Sequence, residues 1–302
     1  MRHLLLAAAL CLAGGARAQS YEEMAAARDQ LLAGETEEAL AVIEPAARRG
    51  HLRAMNLLGA AYQYGIGVEA DGRIARDLLD AAAAQNYAPA VHNLAVLFQR
   101  GAPGVVPDFE RAVETYQRAI ELDYGPSMGT MVGILMDGPG SEAENAARAL
   151  AYAERGAVLG NDVAAHWLGW FRYNGLAGPV DHDEARRLFM LAAALGHADA
   201  MTAYGGMLEA GEGGPSDREG ALDWYARASA AGDPDGAIQL AERIGNAAET
   251  ADDRILALAR CRQGLELAGG AALESWRRMC AEIAAGLDPA QIRQAEKMAR
   301  TF

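Results

Sequence analysis

The stretch that decides the fold is AMNLLGAAYQYGIGVEADGRIARDLLDAAAAQNYAPA, residues 54–90. Apolar or small residues recur in it at intervals of four, the spacing that places side chains on one face of a helix. The glycine-containing segment GIGVEAD separates two such runs, and the second run closes with AAAAQN. Because Gly and Asn suit the left-handed backbone conformation that ends a helix, the stretch predicts two helices joined by a loop and followed by a turn.

The same pattern recurs along the chain. Six turn residues follow alanine-rich segments at spacings of 36, 37, 37, 36 and 36: Gly50, Asn86, Asp123, Gly160, Gly196 and Gly232. Five loop glycines lie fifteen residues after a turn: Gly65, Gly101, Gly138, Gly175 and Gly211. Five residues with N-cap chemistry lie fifteen residues before the next turn: Asp71, Asp108, Asn145, Asp181 and Asp217. The variation in period falls between glycine and cap, in a loop, so a helix–loop–helix–turn unit repeats at least five times.

Columns inside the repeats predict how the two helices pack. The first helices open on a small residue, namely Ala54, Ala90, Ser127, Ala164, Ala200 and Gly236. Eight positions later stand Tyr62, Phe98, Leu135, Arg172, Leu208 and Ile244, so that Arg172 breaks an apolar column. The second helices carry a column of large rings, Tyr116, Phe189 and Tyr225, and a column of small residues, Ala82, Ala119, Gly156, Ala192 and Ala228. Large residues facing small ones allow the two helices to approach closely.

These columns resemble the Sel1-like repeat, a relative of the tetratricopeptide repeat. The family pattern is small-x-x-x-Leu-Gly-x-x-Tyr-x-x-Gly-x-Gly-Val, then Asp, Ala, Tyr and Ala-Ala-x-x-Gly, and residues 53–236 match it in five units. The unit at 128–163 departs from it, with Val132 where Gly is usual, and residues 25–50 look more like a tetratricopeptide unit with a turn at Gly34. The resemblance implies an all-α fold, a right-handed α-solenoid of stacked antiparallel helix pairs.

The chain is expected to contain four segments: a signal peptide at 1–18, a tetratricopeptide-like capping hairpin at 19–51, five Sel1-like repeats at 52–235, and degenerate repeats with a closing helix at 236–302. The signal peptide is indicated by Arg2, His3, the apolar LLLAAALCLAGG and the cleavage motif ARA before Gln19. No later stretch is long and apolar enough to span a bilayer. The expected protein is exported and soluble, periplasmic or secreted, with cleavage after Ala18.

Cys261 and Cys280 are the two cysteines beyond residue 18. An even pair in an exported chain predicts a disulfide, and the alternative is two buried free thiols. The turn column continues by 37 residues from Gly232 to Gly269, so helices are expected at 254–267 and 271–286. The two cysteines then lie at equal heights on antiparallel helices. Asp288 and Pro289 have the chemistry of a helix start, which predicts a final helix after them.

Composition and motifs argue against several function classes. The formal net charge is −14 and Lys297 is the one lysine, so the chain lacks the basic surface that nucleic acid or anionic lipid requires. It contains no Gly-Lys phosphate loop, Ser-x-x-Lys, His-Glu-x-x-His or Gly-x-Ser-x-Gly motif. The segment around Asp181, His182 and His197 could suggest a metal or acid–base site. The repeat explains Asp181 as a cap and His197 as a turn residue, so no catalytic, cofactor or metal site is predicted.

The resemblance implies a non-catalytic scaffold or regulator that binds another envelope protein. An alternative is binding or hydrolysis of a small cell-wall ligand such as a β-lactam, by analogy with other Sel1-like proteins. First helices of stacked hairpins form an extended concave face, on which exposed aromatics would act as anchors. The candidate binding residues crowd one first helix: Trp167, Trp170, Phe171, Arg172 and Tyr173. The alternative is that these residues fill a local gap in the core.

Overall fold

The computed structural model describes residues 22–302, and their regular structure is helical. This part of the chain contains sixteen α-helices and no β-strand, and a single antiparallel bridge joins Ala102 to Val105. No helix in it has the length and apolar character needed to cross a membrane. The predicted signal peptide at residues 1–18 lies outside the described residues.

The chain divides into two compact units, and the first ends at Ser127. Its helices are α1 (residues 22–33), α2 (Thr36–Arg48), α3 (Leu52–Tyr64), α4 (Gly72–Ala83), α5 (Ala88–Arg100) and α6 (Phe109–Glu121). Helix α7 (Gly125–Met136) contains the boundary. From α2 to α6 each helix packs against the next one, and short turns make neighbours antiparallel. Met24 and Ala27 of α1 share a buried cluster with Ile43 of α2.

The second unit runs from Met128 to Phe302. Its further helices are α8 (Glu142–Val158), α9 (Asp162–Asn174), α10 (His182–Ala194), α11 (Ala198–Ala210), α12 (Arg218–Ala230), α13 (Pro234–Ala247), α14 (Ala251–Ala268), α15 (Glu274–Ala285) and α16 (Pro289–Ala299). A 3-10 turn, Gly269–Ala271, joins α14 to α15. Here too most helices pack on their neighbours in sequence, whereas α16 packs on α14.

The turn residues behave as predicted. All six have positive φ angles, and the two that are not glycine, Asn86 and Asp123, have φ of 57° and 58°. The residue after each turn immediately precedes the next first helix. His51, Asn161, His197 and Asp233 each accept a hydrogen bond there from a backbone N–H of the helix that follows. The column therefore marks both the end of one helix and the start of the next.

Four of the five predicted caps are confirmed, and the fifth is wrong. Asp71, Asp108, Asp181 and Asp217 each accept from a backbone N–H in the first turn of their helix. Helix α8 instead begins at Glu142, because Ser141 and Glu144 form a reciprocal capping box one turn earlier. Asn145 is buried within α8, and its side-chain amide donates to the carbonyls of Met136 (3.2 Å) and Gly138 (2.8 Å). Gly138 differs from the other four loop glycines in lacking a positive φ.

Small residues of the first helices make room for large residues of the second. A Cβ added to Gly205 would lie 2.8 Å from the Tyr225 ring, and one on Gly169 would lie 3.0 Å from the Phe189 ring. The divergent repeat reverses this arrangement. Val132 replaces the glycine and Ala153 replaces the ring, and both are fully buried in one cluster. The exchange of large for small keeps the volume between α7 and α8 filled.

The carboxyl-terminal helices enclose a disulfide. Gly269 ends α14 with a φ of 55°, as the turn column predicts. Helix α15 begins at Glu274 instead of the expected 271, because a 3-10 turn occupies the intervening residues. Cys261 and Cys280 are buried and bonded, with their Cα atoms 5.7 Å apart. The predicted disulfide and the predicted final helix, capped by Asp288, are both present.

Candidate protein-binding site

The candidate residues lie on α9, whose ends follow from local sequence. Asn161 accepts from the N–H of Ala164 at 2.8 Å, and Gly175 closes the helix in the left-handed conformation. Ala164, Leu168 and Phe171 are buried on the inner face. Phe171 is 1% exposed, so its side chain belongs to the core and offers no surface to a partner in this structure. Trp167 is half-buried and packs against the same core.

Trp170 is the exposed aromatic residue of this helix, with 38% of its surface accessible. Its indole Nε1 donates to Oε1 of Glu142, the first residue of α8, at 3.2 Å. Its backbone carbonyl accepts from the side-chain amide of Asn174 at 3.0 Å. The indole is therefore oriented by a hydrogen bond, and 38% of the Trp170 surface remains accessible for other contacts.

Arg172 occupies the apolar column because a carboxylate of α8 faces it. Its guanidinium forms an ion pair with Glu154 at 3.0 Å, and the Arg172 side chain is mostly buried. A comparable pair, between Arg243 of α13 and Glu209 of α11, has the same separation of 3.0 Å. Arg172 thus links α9 to α8, and its charge is already partnered within the chain.

Tyr173 connects α9 to the following repeat. Its ring stacks on His182, the first residue of α10, with ring centres 5.0 Å apart and planes 13° apart. Its hydroxyl forms a hydrogen bond with the Glu212 carboxylate, which, together with partial burial, raises the pKa of Tyr173. His182, which the repeat pattern left unexplained, is therefore a packing partner of Tyr173.

Two cavities border Trp170. The first, which we call the α7–α9 cavity, has a volume of about 460 Å³ and is lined by Met136, Asp137, Gly138, Gly140, Glu142, Asn145, His166, Trp167 and Trp170. The second, the α9–α11 cavity, has a volume of about 300 Å³ and is lined by Trp170, Tyr173, Phe189, Ala203, Gly206, Met207, Ala210 and Glu212. Trp170 is common to both and forms a wall between them. Such concave sites beside an exposed ring are where a partner's side chains gain most from burial.

His166 sits at the base of this region as a neutral group. Its ring stacks on His197, with centres 4.4 Å apart and planes 6° apart, and Nδ1 of His166 is buried without a hydrogen bond. Burial, and secondarily the neighbouring His197, lowers the pKa of His166 to about 4. His197 uses its Nδ1 to cap α11. Within residues 22–302, no cluster of three or more His, Cys, Asp or Glu side chains is arranged to hold a metal ion.

The periodicity of the sequence did not reveal four residues of this site. Glu142, Phe189, Met207 and Glu212 come from α8, α10, α11 and the loop after α11. The sequence identified Phe189 only as a core residue. In the structure it is part of the core and also lines the α9–α11 cavity. No signal in the sequence places Glu142 beside Trp170, because their contact depends on α8 starting one turn earlier than the other second helices.

Stacked helix hairpins with a regular spacing between turn and cap define the class of α-solenoid repeat proteins. A model of the family described as Sel1 repeat matches residues 52–87, 88–124, 130–161, 162–197 and 198–233. These residues make up more than half of the chain, which therefore belongs to the Sel1 repeat family. The predicted resemblance and the predicted number of family repeats are confirmed.

Solved structures share this fold. A Sel1 repeat protein from Oxalobacter formigenes is similar with a TM-score of 0.59 and 23% identity, over 87% of this chain and 96% of that one. The protective antigen c5321 of uropathogenic Escherichia coli strains, which displays an SLR fold, is similar with a TM-score of 0.62 and 23% identity, over 94% of this chain and 61% of that one. The all-α solenoid class is thus confirmed, and at these identities the likeness concerns the fold alone.

A curated relative is also similar in sequence. The chitin synthase regulator SKT5 of Saccharomyces cerevisiae is 23% identical over 260 residues. The match covers 71% of this chain and 37% of the yeast protein's length. The chain therefore spans little more than a third of that relative.

Proposed function

We propose that this protein is a non-catalytic scaffold or regulator that binds another protein through the surface formed by Trp167, Trp170, Arg172 and Tyr173. The observation that carries the proposal is the Trp170 ring, exposed between two cavities on a first helix. Phe171 contributes indirectly, by fixing α9 to the core. A relative named as the regulator of an enzyme is consistent with such a role.

The proposed location is the bacterial envelope, periplasmic or secreted. It rests on the signal-peptide pattern of residues 1–18. A disulfide buried between α14 and α15 is compatible with an oxidising compartment. Amino-terminal sequencing of the mature protein tests the location, and a mature chain that starts at Gln19 is the expected result.

The binding surface is tested by pull-down from an envelope extract with quantitative mass spectrometry. Trp170→Ala should lose the partner that the wild type enriches, since it removes the shared wall of both cavities. Phe109→Ala is the control, because Phe109 is also an exposed aromatic residue but lies on α6 and lines neither cavity. Equal enrichment by wild type and Trp170→Ala would contradict the proposed surface.

Arg172→Glu tests the same surface by charge. The new carboxylate at position 172 would face the carboxylate of Glu154, and their repulsion should turn the side chain at position 172 away from α8. Because this changes the charge and shape of the proposed surface, the variant should enrich less of the partner than the wild type. Arg187→Glu is the control, because it introduces the same charge change at an ion pair with Glu184 within α10, and neither residue lines a cavity. The absence of catalysis is tested with a fluorescent penicillin, and covalent labelling or turnover would contradict it.

A further inference from the structure

The two cavities beside Trp170 differ in chemistry. The α7–α9 cavity combines the indole rings of Trp167 and Trp170 with the exposed carboxylates of Asp137 and Glu142. None of its lining residues, all within the described chain, is Lys or Arg. A basic side chain outside the cavity, Arg148, donates to Oδ1 of the lining residue Asn145 at 3.4 Å. His166 adds no positive charge at neutral pH, because burial lowers its pKa to about 4.

These carboxylates have free hydrogen-bonding capacity. Glu142 uses Oε1 to accept from Trp170, and the structure gives its Oε2 no partner within residues 22–302. The side chain of Asp137 likewise makes no hydrogen bond or ion pair to a described residue. Elsewhere in the described chain, acidic residues such as Glu154 of α8 and Glu209 of α11 face an arginine. Two free carboxylates beside two indole rings suit a cationic side chain, through ion pairing and through cation–π contact with the rings.

The α9–α11 cavity suits an apolar side chain. Trp170, Tyr173, Phe189 and Met207 supply its walls, with alanine and glycine between them. Its one acidic residue, Glu212, is engaged by the Tyr173 hydroxyl.

The spacing of the helices sets the distance between the two cavities. Neighbouring helices of a packed array lie about 10 Å apart. A fully extended chain covers that distance in about three residues, at about 3.3 Å per residue.

We infer that the partner presents an extended peptide segment with an arginine or lysine in the α7–α9 cavity and, about three residues away, an apolar side chain in the α9–α11 cavity. This inference rests on the proposed function and adds the chemistry of the partner to it. A peptide is the occupant because one extended chain can place a side chain in each of the two cavities that share the Trp170 ring. The negative charge of the protein, −14 over the whole chain, favours the approach of a basic segment.

Selection from a phage-displayed library of random decapeptides on the immobilised full-length protein tests this inference. Enriched sequences should carry Arg or Lys about three residues from a large apolar residue, and should lose binding to Trp170→Ala. One enriched peptide, synthesised with a fluorescent label, is then titrated by anisotropy. Glu142→Gln and Asp137→Asn should each weaken binding by about two- to fivefold, as expected for a partly exposed ion pair.

Glu114→Gln is the matched control, because Glu114 is an exposed carboxylate on α6 that lines neither cavity. It should leave the affinity unchanged. Enriched peptides that depend on Trp170 but lack a basic residue, or that bind Glu142→Gln as tightly as wild type, overturn this inference while the proposed binding surface stands. If no enriched peptide depends on Trp170, both proposals are wrong. Circular dichroism of each variant verifies that it is folded.

Discussion

Single carboxylates at helix starts contribute to the stability of the array, and Asp108 offers a clean test. It accepts from the N–H of Arg111 at 3.0 Å, a group that the first turn of α6 would otherwise leave unpaired. Asp108→Ala should lower the free energy of unfolding by about 1 kcal/mol, the usual cost of losing an N-cap. Urea unfolding followed by circular dichroism measures it, with Glu110→Ala, in the same exposed first turn, as control. Equal losses in the two variants would contradict the capping role.

At the same scale, the partly buried His166 makes a contribution to stability that depends on pH. Burial lowers the pKa of His166 to about 4, whereas an unfolded histidine titrates near 6.5. Between these values the unfolded chain binds a proton that the folded chain excludes, so the contribution to stability is lost as the pH falls. By pH 4 the loss from this one group is about 3 kcal/mol, because each pH step of one between the two pKa values removes about 1.36 kcal/mol.

His166→Phe should remove this pH dependence. A phenyl ring can pack among His197, Phe189 and Trp167, and no hydrogen bond of Nδ1 is lost because Nδ1 makes none. Chemical unfolding at pH 7 and pH 4 should show the variant gaining about 3 kcal/mol on the wild type at the lower pH. His182→Phe, which replaces a histidine stacked on Tyr173, is the control. Parallel curves for wild type and His166→Phe would show that His166 does not titrate in this way.

For the helices, the sequence predicted most of what the structure shows, and the exceptions have a local cause. Six turn residues with positive φ and four aspartate caps follow from backbone chemistry that repeats every 36 or 37 residues. The cap of the third repeat was predicted wrongly because Ser141 and Glu144 start α8 one turn early, so that Asn145 lies in the core and not at the cap. A capping box is a short motif, and alignment to the other repeats concealed it. The exchange of Val132 and Ala153 needed the packing of α7 on α8 to be recognised.

Two glycines of the second compact unit, at helical positions, allow a matched test of close packing. A Cβ on Gly156 of α8 would lie 2.5 Å from the Cβ of Ala164, whereas one on Gly133 of α7 would meet nothing within 4 Å. Gly156→Ala should therefore destabilise the protein by about 1–3 kcal/mol through overpacking. Gly133→Ala should stabilise it by about 0.4–1 kcal/mol, because alanine restricts the unfolded chain. Thermal unfolding measures the change in stability of both variants. If both variants were stabilised, or both destabilised, the close contact between Gly156 and Ala164 would not explain the difference.

Over the whole molecule, the part of the site that the sequence could not predict is the part built from several repeats. Trp170 and Tyr173 were found because aromatic residues crowd α9. The residues that complete the cavities, such as Glu142 and Met207, lie 28 residues before and 37 residues after Trp170. Periodicity identifies which positions are equivalent in different repeats. It does not show which residues of adjacent helices are in contact, because that depends on how the helices pack. The binding site is thus a property of the stacked array and not of any one repeat.

The same stacking limits how far a local change can spread. Helices α14, α15 and α16 share a buried cluster around Cys261 and Cys280. Of the three, α14 packs extensively on α13, and none makes significant contact with α9 or α10. Reduction of the disulfide should lower the stability of this end by about 3 kcal/mol, the chain-entropy value for a loop of about 20 residues. Because stability in such arrays passes mainly between neighbours, the loss should remain local.

Hydrogen exchange monitored by mass spectrometry, with and without a phosphine reductant, measures this. Exchange should accelerate in α14, α15 and α16, while α9 and α10 of the same compact unit keep their protection. The double variant Cys261→Ala, Cys280→Ala is the control, and its exchange should not respond to the reductant. Faster exchange in α9 and α10 to the same degree as in α14 would show that this unit unfolds as a single cooperative body, contrary to the neighbour-by-neighbour stability inferred from its packing.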